Sequence, residues 1–196
     1  AGENAAVHIT GGNSNFEFMN NIFIRPSGSA PGGFDAYRGI INEFGGISNI
    51  NIHDNYFEKW HTGVFLQNAN NATVQNNVFF ENAVGMSCDG AHSVTVTGNT
   101  FTNNGFEGLG VGLSITSINV KENNFDGNTT AISNYVTTTD IDASENWFGD
   151  PTGPQHAKLP GGLGDPISDY VIYRPYYIDA ARTTNRRCLR HRRRRQ

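Results

Sequence analysis

The chain has 196 residues, of which 37% are hydrophobic and 16% charged, so it is long enough for one domain with a buried core. Eight of its fourteen Lys and Arg residues lie between Arg182 and Arg195, so residues 1–181 carry six basic and eighteen acidic side chains, a formal charge of −12. This charge disfavours nucleic acid and anionic membranes as partners, and no apolar run is long enough for a transmembrane helix.

One short phrase recurs along the chain: apolar-x-apolar-x-x-Asn-x-aromatic. Its copies occupy residues 16–23, 50–57, 72–79, 94–101, 118–125 and 141–148. The shared asparagines are spaced by 34, 22, 22, 24 and 23 residues: Asn21, Asn55, Asn77, Asn99, Asn123 and Asn146. Such a period indicates a solenoid of stacked coils. Leucine-rich repeats have a similar period, but the chain lacks their Leu-rich consensus and helical segment.

The pattern within each phrase predicts which side chains face the interior. Apolar residues such as Val94 and Val96 alternate with polar ones, so we expect them to face the interior. The shared Asn is predicted to turn the chain, since Asn tolerates left-handed backbone conformations and can bond the equivalent Asn one coil away. Beside this Asn ladder we expect a column of stacked aromatic rings. It contains Phe23, Phe57, Phe79, Phe101, Phe125 and Phe148.

Two further features concern how the coils connect. A small residue followed by an apolar one opens the next strand, at Gly63-Val64, Gly85-Met86 and Ala131-Ile132, which predicts coils stacked in register. The single step of 34 residues contains a Pro- and Gly-rich insertion at about 25–37, which we predict to be a projecting loop.

The densest cluster of reactive side chains is HDNYFEKWHTG, at 53–63. Glycoside hydrolysis needs two carboxylates roughly 5 to 9.5 Å apart, and Asp54 and Glu58 are near enough in sequence to supply them. His53 or Lys59 could instead be the general base of a lyase, and His61 is a further candidate catalytic residue. Acidic side chains beside turns are also common on any solvated solenoid, so a purely structural role stays open.

Neighbouring residues extend this cluster. We predict Trp60, Phe65, Glu81 and His92 as substrate-binding residues, with Trp60 and Phe65 as exposed aromatic platforms. Calcium is the one cofactor for which ligands are available, because it prefers several oxygen atoms. The candidate ligands are Asp54, Glu58, Glu81 and Asp89. Cys88 falls at a strand position, where a buried unreactive thiol is expected, and no disulfide with Cys188 is predicted.

Over about residues 5–150, the repeat resembles the right-handed parallel β-helix of the pectate-lyase-like superfamily, including its carbohydrate-binding and sugar-hydrolase domains. The resemblance implies an all-β, right-handed parallel β-helix of about six coils. The polygalacturonase, pectate lyase and alginate epimerase motifs are absent, so the sequence leaves open whether the chain is an enzyme. If it is, the resemblance implies a polysaccharide lyase or a glycoside hydrolase.

Residues 145–178 resemble the segment that closes the β-helix in many secreted or surface-attached prokaryotic proteins. That segment begins with an NWWGDxSGP-like motif, matched here by Asn146, Trp147, Gly149, Asp150, Gly153 and Pro154, with Phe148 for the second Trp. We therefore predict coils over 1–150, a Pro-, Gly- and aromatic-rich cap over 151–181 and a basic, unstructured tail over 182–196. No cap precedes Phe16, so we expect a piece of a longer parent.

Three functions follow as hypotheses. The first is an extracellular or cell-surface module that binds or processes polysaccharide, with a glycan as its partner. The second is a non-catalytic structural or adhesive rod. The third and most remote is ice binding, since a flat β-helix face bearing Thr-x-Thr can order water, but only residues 95–97 and 137–139 approach that pattern. The sequence does not determine an oligomeric state.

Overall fold

The structure, a computed structural model, describes residues 5–12, 14–25, 37–43, 46–112 and 114–186. These residues form twenty β-strands and no helix. The first three turns comprise β1 (Ala5–Thr10), β2 (Ser14–Met19), β3 (Ile22–Ile24), β4 (Arg38–Glu43), β5 (Ser48–His53), β6 (Tyr56–Glu58), β7 (Thr62–Gln67), β8 (Asn70–Gln75) and β9 (Val78–Phe80). The next two comprise β10 (Val84–Asp89), β11 (His92–Thr97), β12 (Thr100–Thr102), β13 (Glu107–Val111), β14 (Ile118–Lys121) and β15 (Asn124–Asp126). The chain continues with β16 (Ile132–Asn134), β17 (Ile141–Asp142), β18 (Val171–Ile172), β19 (Tyr176–Tyr177) and β20 (Asn185–Arg186).

The strands stack into three parallel sheets, which makes the fold a parallel β-helix. Sheet A contains β1, β4, β7, β10, β13 and β16; sheet B contains β2, β5, β8, β11, β14, β17 and β18; sheet C contains β3, β6, β9, β12 and β15. Among the strands of the described residues, β19 and β20 alone pair antiparallel. Five turns place a strand in every sheet, whereas the sixth adds two short strands, β16 and β17. The prediction of about six coils is therefore too high for complete turns.

Strand register follows the repeated phrase. Val94 pairs with Ala72 on one side and Ile118 on the other, and Val96 pairs with Val74 and Val120. All of these side chains are buried, whereas the alternating Thr95 is partly exposed. This confirms the predicted inward direction of the apolar positions, because the same face of each strand packs into one continuous core.

The predicted Asn ladder is present. The backbone N–H and the side-chain Nδ2 of Asn77 both donate to Oδ1 of Asn99, at 2.9 and 3.0 Å. Asn99 donates in the same way to Asn123. The pattern runs without interruption from Asn21 to Asn146. Each buried rung also donates to the carbonyls of its own turn and the preceding one, as Asn99 does to Thr97 O and Val74 O.

The left-handed turn residue differs from the prediction. It is the residue before each ladder Asn that has a positive φ, as at Asp54 (56°), Asn76 (54°) and Gly98 (68°). The ladder Asn itself must keep a backbone that points its amide inward. Two adjacent residues thus divide the two roles: one turns the chain and the next forms the ladder. The turning position also accepts Glu, at Glu122 and Glu145.

A second ladder, which the phrase did not predict, lies at the next corner. The N–H and Nδ2 of Asn82 donate to Asn104 Oδ1, both at 3.1 Å, and Asn104 donates in turn to Asn128. The ladder ends on a carboxylate, because Asp165 accepts from Asn128 N, Asn128 Nδ2 and Gly127 N at 2.7 to 3.0 Å. Its other end is the backbone N–H of Trp60, which donates to Asn82 Oδ1.

The predicted aromatic column is also confirmed. Successive rings from Phe23 to Phe148 are stacked with centroids 4.8 to 5.8 Å apart. Glycines at the start of the sheet A strands make room for these rings: a Cβ at Gly85 would lie 2.6 Å from Gly108 O and 2.8 Å from Phe101 Cδ1. This explains the small residue that precedes each apolar strand residue.

Residues 149–178 pack against the last turns. Ile167 bridges to Ile132 of sheet A, and β18 extends sheet B beside β17. Tyr176 is almost fully buried, and its hydroxyl donates to Thr152 O at 2.8 Å. Gly153, with φ of 90°, lies against the Tyr176 ring, where a Cβ would come within 2.5 Å. The segment thus covers part of the core at this end.

Two predictions fall largely outside the described residues. Residues 26–36 of the insertion and 187–196 of the basic tail are not described. Within the described ranges, no helix has the length and apolar character needed to cross a membrane.

Candidate functional site

The predicted 53–61 cluster is divided among the three sheets. His53 ends β5 of sheet B, Glu58 ends β6 of sheet C, and His61 immediately precedes β7 of sheet A. Asp54 bonds back to His53, whereas Glu58 bonds to Lys59. Asp54 and Glu58 therefore bond to different partners, Asp54 at the corner after β5 and Glu58 at the end of β6.

His53 is held between two carboxylates on the outer face of sheet B. Its Nδ1 lies 2.7 Å from Asp54 Oδ2 and its Nε2 lies 3.1 Å from Glu17 Oε1. Hydrogen bonds with Asp54 and then Glu17 raise the pKa of His53 above its ordinary value. The two carboxylates thus stabilise the protonated imidazole relative to that of an unperturbed histidine.

Lys59 is likewise paired on sheet C. Its Nζ lies 2.6 Å from Glu58 Oε1 and 3.9 Å from Glu81 Oε2. The hydrogen bond with Glu58 raises the pKa of Lys59, and the same bond lowers the pKa of Glu58. Both groups keep their charges at neutral pH, so the structure gives Lys59 none of the pKa depression that a catalytic base needs.

Trp60 is buried, contrary to the prediction of an exposed platform. Its side chain is 9% exposed, and its Nε1 donates to Phe23 O at 3.0 Å. The reason is its place in the second ladder, where the equivalent Asn82 and Asn104 also point inward. A buried indole has no face for a sugar ring.

His61 lies in a basic environment near sheet A. Burial, and then the positive charges of Arg38 and Arg25, lower its pKa. Its Nδ1 lies 3.2 Å from Thr62 Oγ1. Of the three predicted catalytic residues with basic side chains, His61 is thus the one whose neutral form is favoured at neutral pH.

The four predicted calcium ligands are not brought together, contrary to the prediction. Asp89 ends a strand of sheet A, Asp54 turns the corner after sheet B, and Glu58 with Glu81 lies by sheet C. Nowhere in the described ranges do three or more His, Cys, Asp or Glu side chains converge on a metal position.

His92, which the sequence predicted to bind substrate, is exposed at the start of β11. Its Nδ1 lies 2.7 Å from Thr116 Oγ1.

Cys88 is fully buried on the inner face of β10. Burial raises the pKa of its thiol to about 12, so the reactive thiolate is scarce at neutral pH. This confirms the buried, unreactive thiol that the strand position predicted.

A more promising surface lies on the outer face of sheet A. In its outward column Phe65 aligns with Ser87, then Gly110, then Ser133. Phe65 is partly exposed, and Tyr135, two residues beyond Ser133, is 57% exposed. We call this surface, with Asp89 and Glu107 at its sides, the sheet A face. Its middle residues are small, the Glu107 carboxylate lies over Gly110, and an aromatic ring lies at each end.

Two carboxylates lie over glycines on this face, one in β13 and one directly after it. A Cβ at Gly110 would lie 2.7 Å from Glu107 Oε1, and a Cβ at Gly112 would lie 2.9 Å from Asp89 Oδ1. Tyr135 donates its hydroxyl to Glu107 Oε2 at 3.1 Å. Burial and then the charge of Glu107 raise the pKa of Tyr135, which keeps the phenol as a donor.

The Phe65 end of the face is basic on one side. The Arg38 guanidinium lies over the Phe65 ring, 4.4 Å from its centroid, and 3.8 Å from Glu43 Oε1. Burial lowers the pKa of Arg38 and Glu43 opposes that shift, but an arginine stays charged at neutral pH. Such a cation-π contact fixes the ring orientation.

Sequence reasoning found Phe65 and Asp89 but missed Glu107 and Tyr135. Glu107 is the first residue of β13 and belongs to no repeated phrase, and Tyr135 directly follows β16. One signal was available: the alternating glycines of GLGVG (108–112) leave two outward positions without side chains. Vacant outward positions in a strand indicate that another group approaches there.

The sheet B face is flatter and more uniform. Its outward column runs Asn51, Thr73, Thr95 and Asn119, and only Thr73 and Thr95 form a threonine pair on adjacent turns. This array is too short to support ice binding, which requires a regular threonine lattice.

Comparison with known proteins supports the fold. The family described as right handed beta helix region matches residues 2–148. No curated protein and no solved structure matches the chain. The family match covers well over half of the chain and coincides with the stacked turns of the three sheets. The chain therefore belongs to the right-handed β-helix family.

Proposed function

We propose that the chain is an extracellular or cell-surface β-helix module that binds polysaccharide along the sheet A face. The observation that carries the proposal is the arrangement of Phe65 and Tyr135 at two ends of a row of small residues, with Asp89 and Glu107 over the neighbouring glycines. The extracellular location rests on the resemblance of residues 145–178 to the closing segment of secreted β-helices.

This arrangement suits a sugar chain for a chemical reason. Sugar rings present apolar C–H faces and hydroxyl edges, so they pack on aromatic rings and donate to carboxylates. Phe65 and Tyr135 are separated by about three coil spacings of 4.8 Å, or about 14 Å along the axis. The distance favours an extended oligomer over a single sugar.

The surroundings of the face keep it rigid. The strands beneath it are fixed by the two Asn ladders and the Phe column. The Tyr135 hydroxyl and the Arg38 guanidinium are each fixed by a carboxylate. Binding then costs little conformational entropy in the protein.

Hydrolysis is the reaction that this geometry favours if the module also cleaves its ligand. Glu107 lies beside Gly110 and Asp89 beside Gly112, two glycines whose Cα atoms are about 6.6 Å apart in an extended chain. Glycoside hydrolysis uses two carboxylates roughly 5 to 9.5 Å apart, so we assign Asp89 and Glu107 as the candidate pair. A lyase variant of the proposal would use His61 as the base and Arg38 to hold a uronate carboxylate.

The test is affinity electrophoresis of the native protein through gels containing neutral or uronic-acid polysaccharides. We expect retardation in at least one gel, and weakening by about three- to tenfold in each of Phe65→Ala and Tyr135→Ala, the effect of one aromatic contact. Thr73→Ala on the sheet B face is the matched control and should bind as the native protein does. A parallel assay of reducing ends and unsaturated products, with Glu107→Gln, tests cleavage.

The outcome also decides between the two main hypotheses. If no polysaccharide retards the native protein, or if the sheet A substitutions change nothing, the polysaccharide proposal is wrong. The structural rod then becomes the better interpretation. A specific observation favours that second function: both ladders continue through the described turns. These hydrogen bonds stiffen the body of the protein whether or not a ligand is bound.

A further inference from the structure

Two acidic side chains of the described residues are nine-tenths buried, and their surroundings differ. Asp165 and Glu107 are each 9% exposed. Asp165 accepts hydrogen bonds from three N–H groups of residues 127 and 128. Glu107 accepts from the Tyr135 hydroxyl, and no other described residue donates to its carboxylate or pairs with its charge. A buried carboxylate is costly without several donors or an opposite charge, so Glu107 has acceptor capacity left for a ligand.

This carboxylate lies on the sheet A face. A Cβ at Gly110 would come within 2.7 Å of Glu107 Oε1, so the carboxylate occupies the space that a side chain at residue 110 would take. Gly110 aligns with Ser87 on one neighbouring turn and with Ser133 on the other. The charge of Glu107 therefore lies within the row of small residues along which we propose that polysaccharide binds.

An extra residue precedes Glu107 at this corner of the turn. Between the second ladder and the first residue of the sheet A strand, the preceding turn has one residue, Ala83, whereas this turn has two, Gly105 and Phe106. The N–H groups of Phe106 and Glu107 both donate to Ala83 O, at 2.8 and 3.4 Å. Phe106 is 65% exposed. Such an insertion redirects the side chain that follows it, as β-bulges do beside binding sites.

Charge is distributed unevenly along the sheet A face. At one end the Arg38 guanidinium lies over Phe65 and 3.8 Å from Glu43. The Glu107 carboxylate lies over Gly110, two turns from Phe65 or about 10 Å along the axis. The exposed Tyr135 ring beside that carboxylate also favours a cation, because aromatic faces attract ammonium groups. This end of the face therefore suits a positive group and repels a uronate.

We infer that the ligand of the sheet A face is a polymer of 2-amino-2-deoxy sugars with free amino groups. Glu107 accepts a hydrogen bond from one ammonium group, and Tyr135 packs against the same sugar ring. The ammonium compensates the buried charge of Glu107, which a sugar hydroxyl or an acetylated amine cannot do. This inference deepens the proposed function and rests on polysaccharide binding along the sheet A face.

The test compares oligosaccharides of equal length built from glucosamine, N-acetylglucosamine or glucose. Each is titrated into the whole protein at about pH 6, where a free amino group is protonated, and two-dimensional amide NMR follows binding. We expect saturable shifts at the amides of residues 107–111 and 133–135. The glucosamine oligomer should bind about tenfold or more tightly than the other two, the effect of one charge-assisted hydrogen bond.

A pair of matched variants assigns this preference to one carboxylate. Glu107→Gln keeps the shape of the side chain and an acceptor for Tyr135, and it should abolish the preference while leaving the affinity for the acetylated oligomer nearly unchanged. Glu122→Gln removes an exposed carboxylate at the corner before Asn123 and should keep the preference. The control also measures any general attraction between the positive oligomer and the acidic body. Thermal unfolding shows whether each variant retains the fold.

The outcomes separate this inference from the proposed function. If the glucosamine and acetylated oligomers bind the native protein equally, or if the two Glu→Gln variants behave alike, the inference about the amino group is wrong, while polysaccharide binding on the sheet A face stands. If no oligosaccharide shifts the amides of this face, the proposed function is wrong as well. The comparison on the native protein decides the question even if Glu107→Gln does not fold.

Discussion

At the scale of single residues, the ladder asparagines are the most constrained side chains of the repeat. Asn99 is fully buried, accepts two hydrogen bonds from Asn77 and donates to Val74 O, Thr97 O and Asn123 Oδ1. Each amide thus satisfies backbone groups that the turn would otherwise leave without partners inside the protein. Apolar packing alone would not require Asn here.

We predict that Asn99→Ala lowers the free energy of unfolding by about 3 kcal/mol or more, because it leaves the Asn77 donors and two carbonyls unsatisfied in the core. Urea unfolding followed by circular dichroism measures the change. Asn119→Ala, on the exposed face of the next turn, is the control and should cost about 0.5 kcal/mol or less. Equal losses in the two variants would show that the ladder contributes little.

A second prediction concerns His53. Its folded pKa is raised by Asp54 and Glu17, so its protonated form stabilises the fold; that contribution is complete below the unfolded value of about 6.5 and is lost as pH rises through the folded pKa. NMR titration of the imidazole should give a midpoint above 6.5. In Asp54→Asn the midpoint should fall. An unchanged midpoint would mean that Asp54 does not hold the ring in solution.

At the scale of the strand, the glycine positions couple sheet A to the aromatic column. Gly63, Gly85 and Gly108 each face the edge of a Phe ring and a carbonyl of the following turn. A side chain there would have to displace the ring stack or the neighbouring strand. The Phe column and the small strand residues therefore form one packing arrangement, which is repeated in each turn.

Gly85→Ala should accordingly destabilise the protein by about 1 to 3 kcal/mol, the cost of overpacking a core. Its Cβ would lie 2.6 Å from backbone Gly108 O, which cannot rotate away as a side chain can. Gly12→Ala is the matched control, since no atom lies within 4 Å of its added Cβ. Thermal unfolding of both variants distinguishes them, and a Gly85→Ala protein as stable as the control would contradict this packing account.

At the scale of the whole molecule, stability is expected to be local along the axis. Each turn contacts mainly the turns beside it, so a defect should spread to neighbours and fade beyond them. The C-terminal segment joins the second ladder through one charged side chain, because Asp165 ends that ladder. The segment thereby acts as a further rung.

This predicts the effect of Asp165→Ala on hydrogen exchange. Loss of the carboxylate leaves the N–H of Gly127 and Asn128 without acceptors, and we expect about 2 kcal/mol less protection in residues 124–134. Protection of β5 and β8, several turns away, should change little. Asp126→Ala serves as the control, since its side chain is exposed. A uniform loss of protection along the chain would instead indicate one cooperative unit.

Much of this fold was predictable from the sequence, because it depends on a repeat. The first Asn ladder, the Phe column and the inward apolar positions each follow from residues that recur at one spacing. The second ladder was missed, since its members Asn82, Asn104 and Asn128 are replaced by Trp60 at one end and by Asp165 at the other. The same irregularity caused the error at Trp60, which looked exposed among charged neighbours but occupies a ladder position.

The sequence by itself determined the stacking of coils, because period and alternation decide which side chains face inward. Only the tertiary structure decided which outward residues meet. His53, Glu58 and His61 are near in sequence, yet a chain that changes sheet every few residues sends them to different faces. Phe65, Asp89, Glu107 and Tyr135 are far apart in sequence, yet parallel stacking at about 4.8 Å per turn brings them onto one face. Proximity across turns depends on register, which local sequence does not contain.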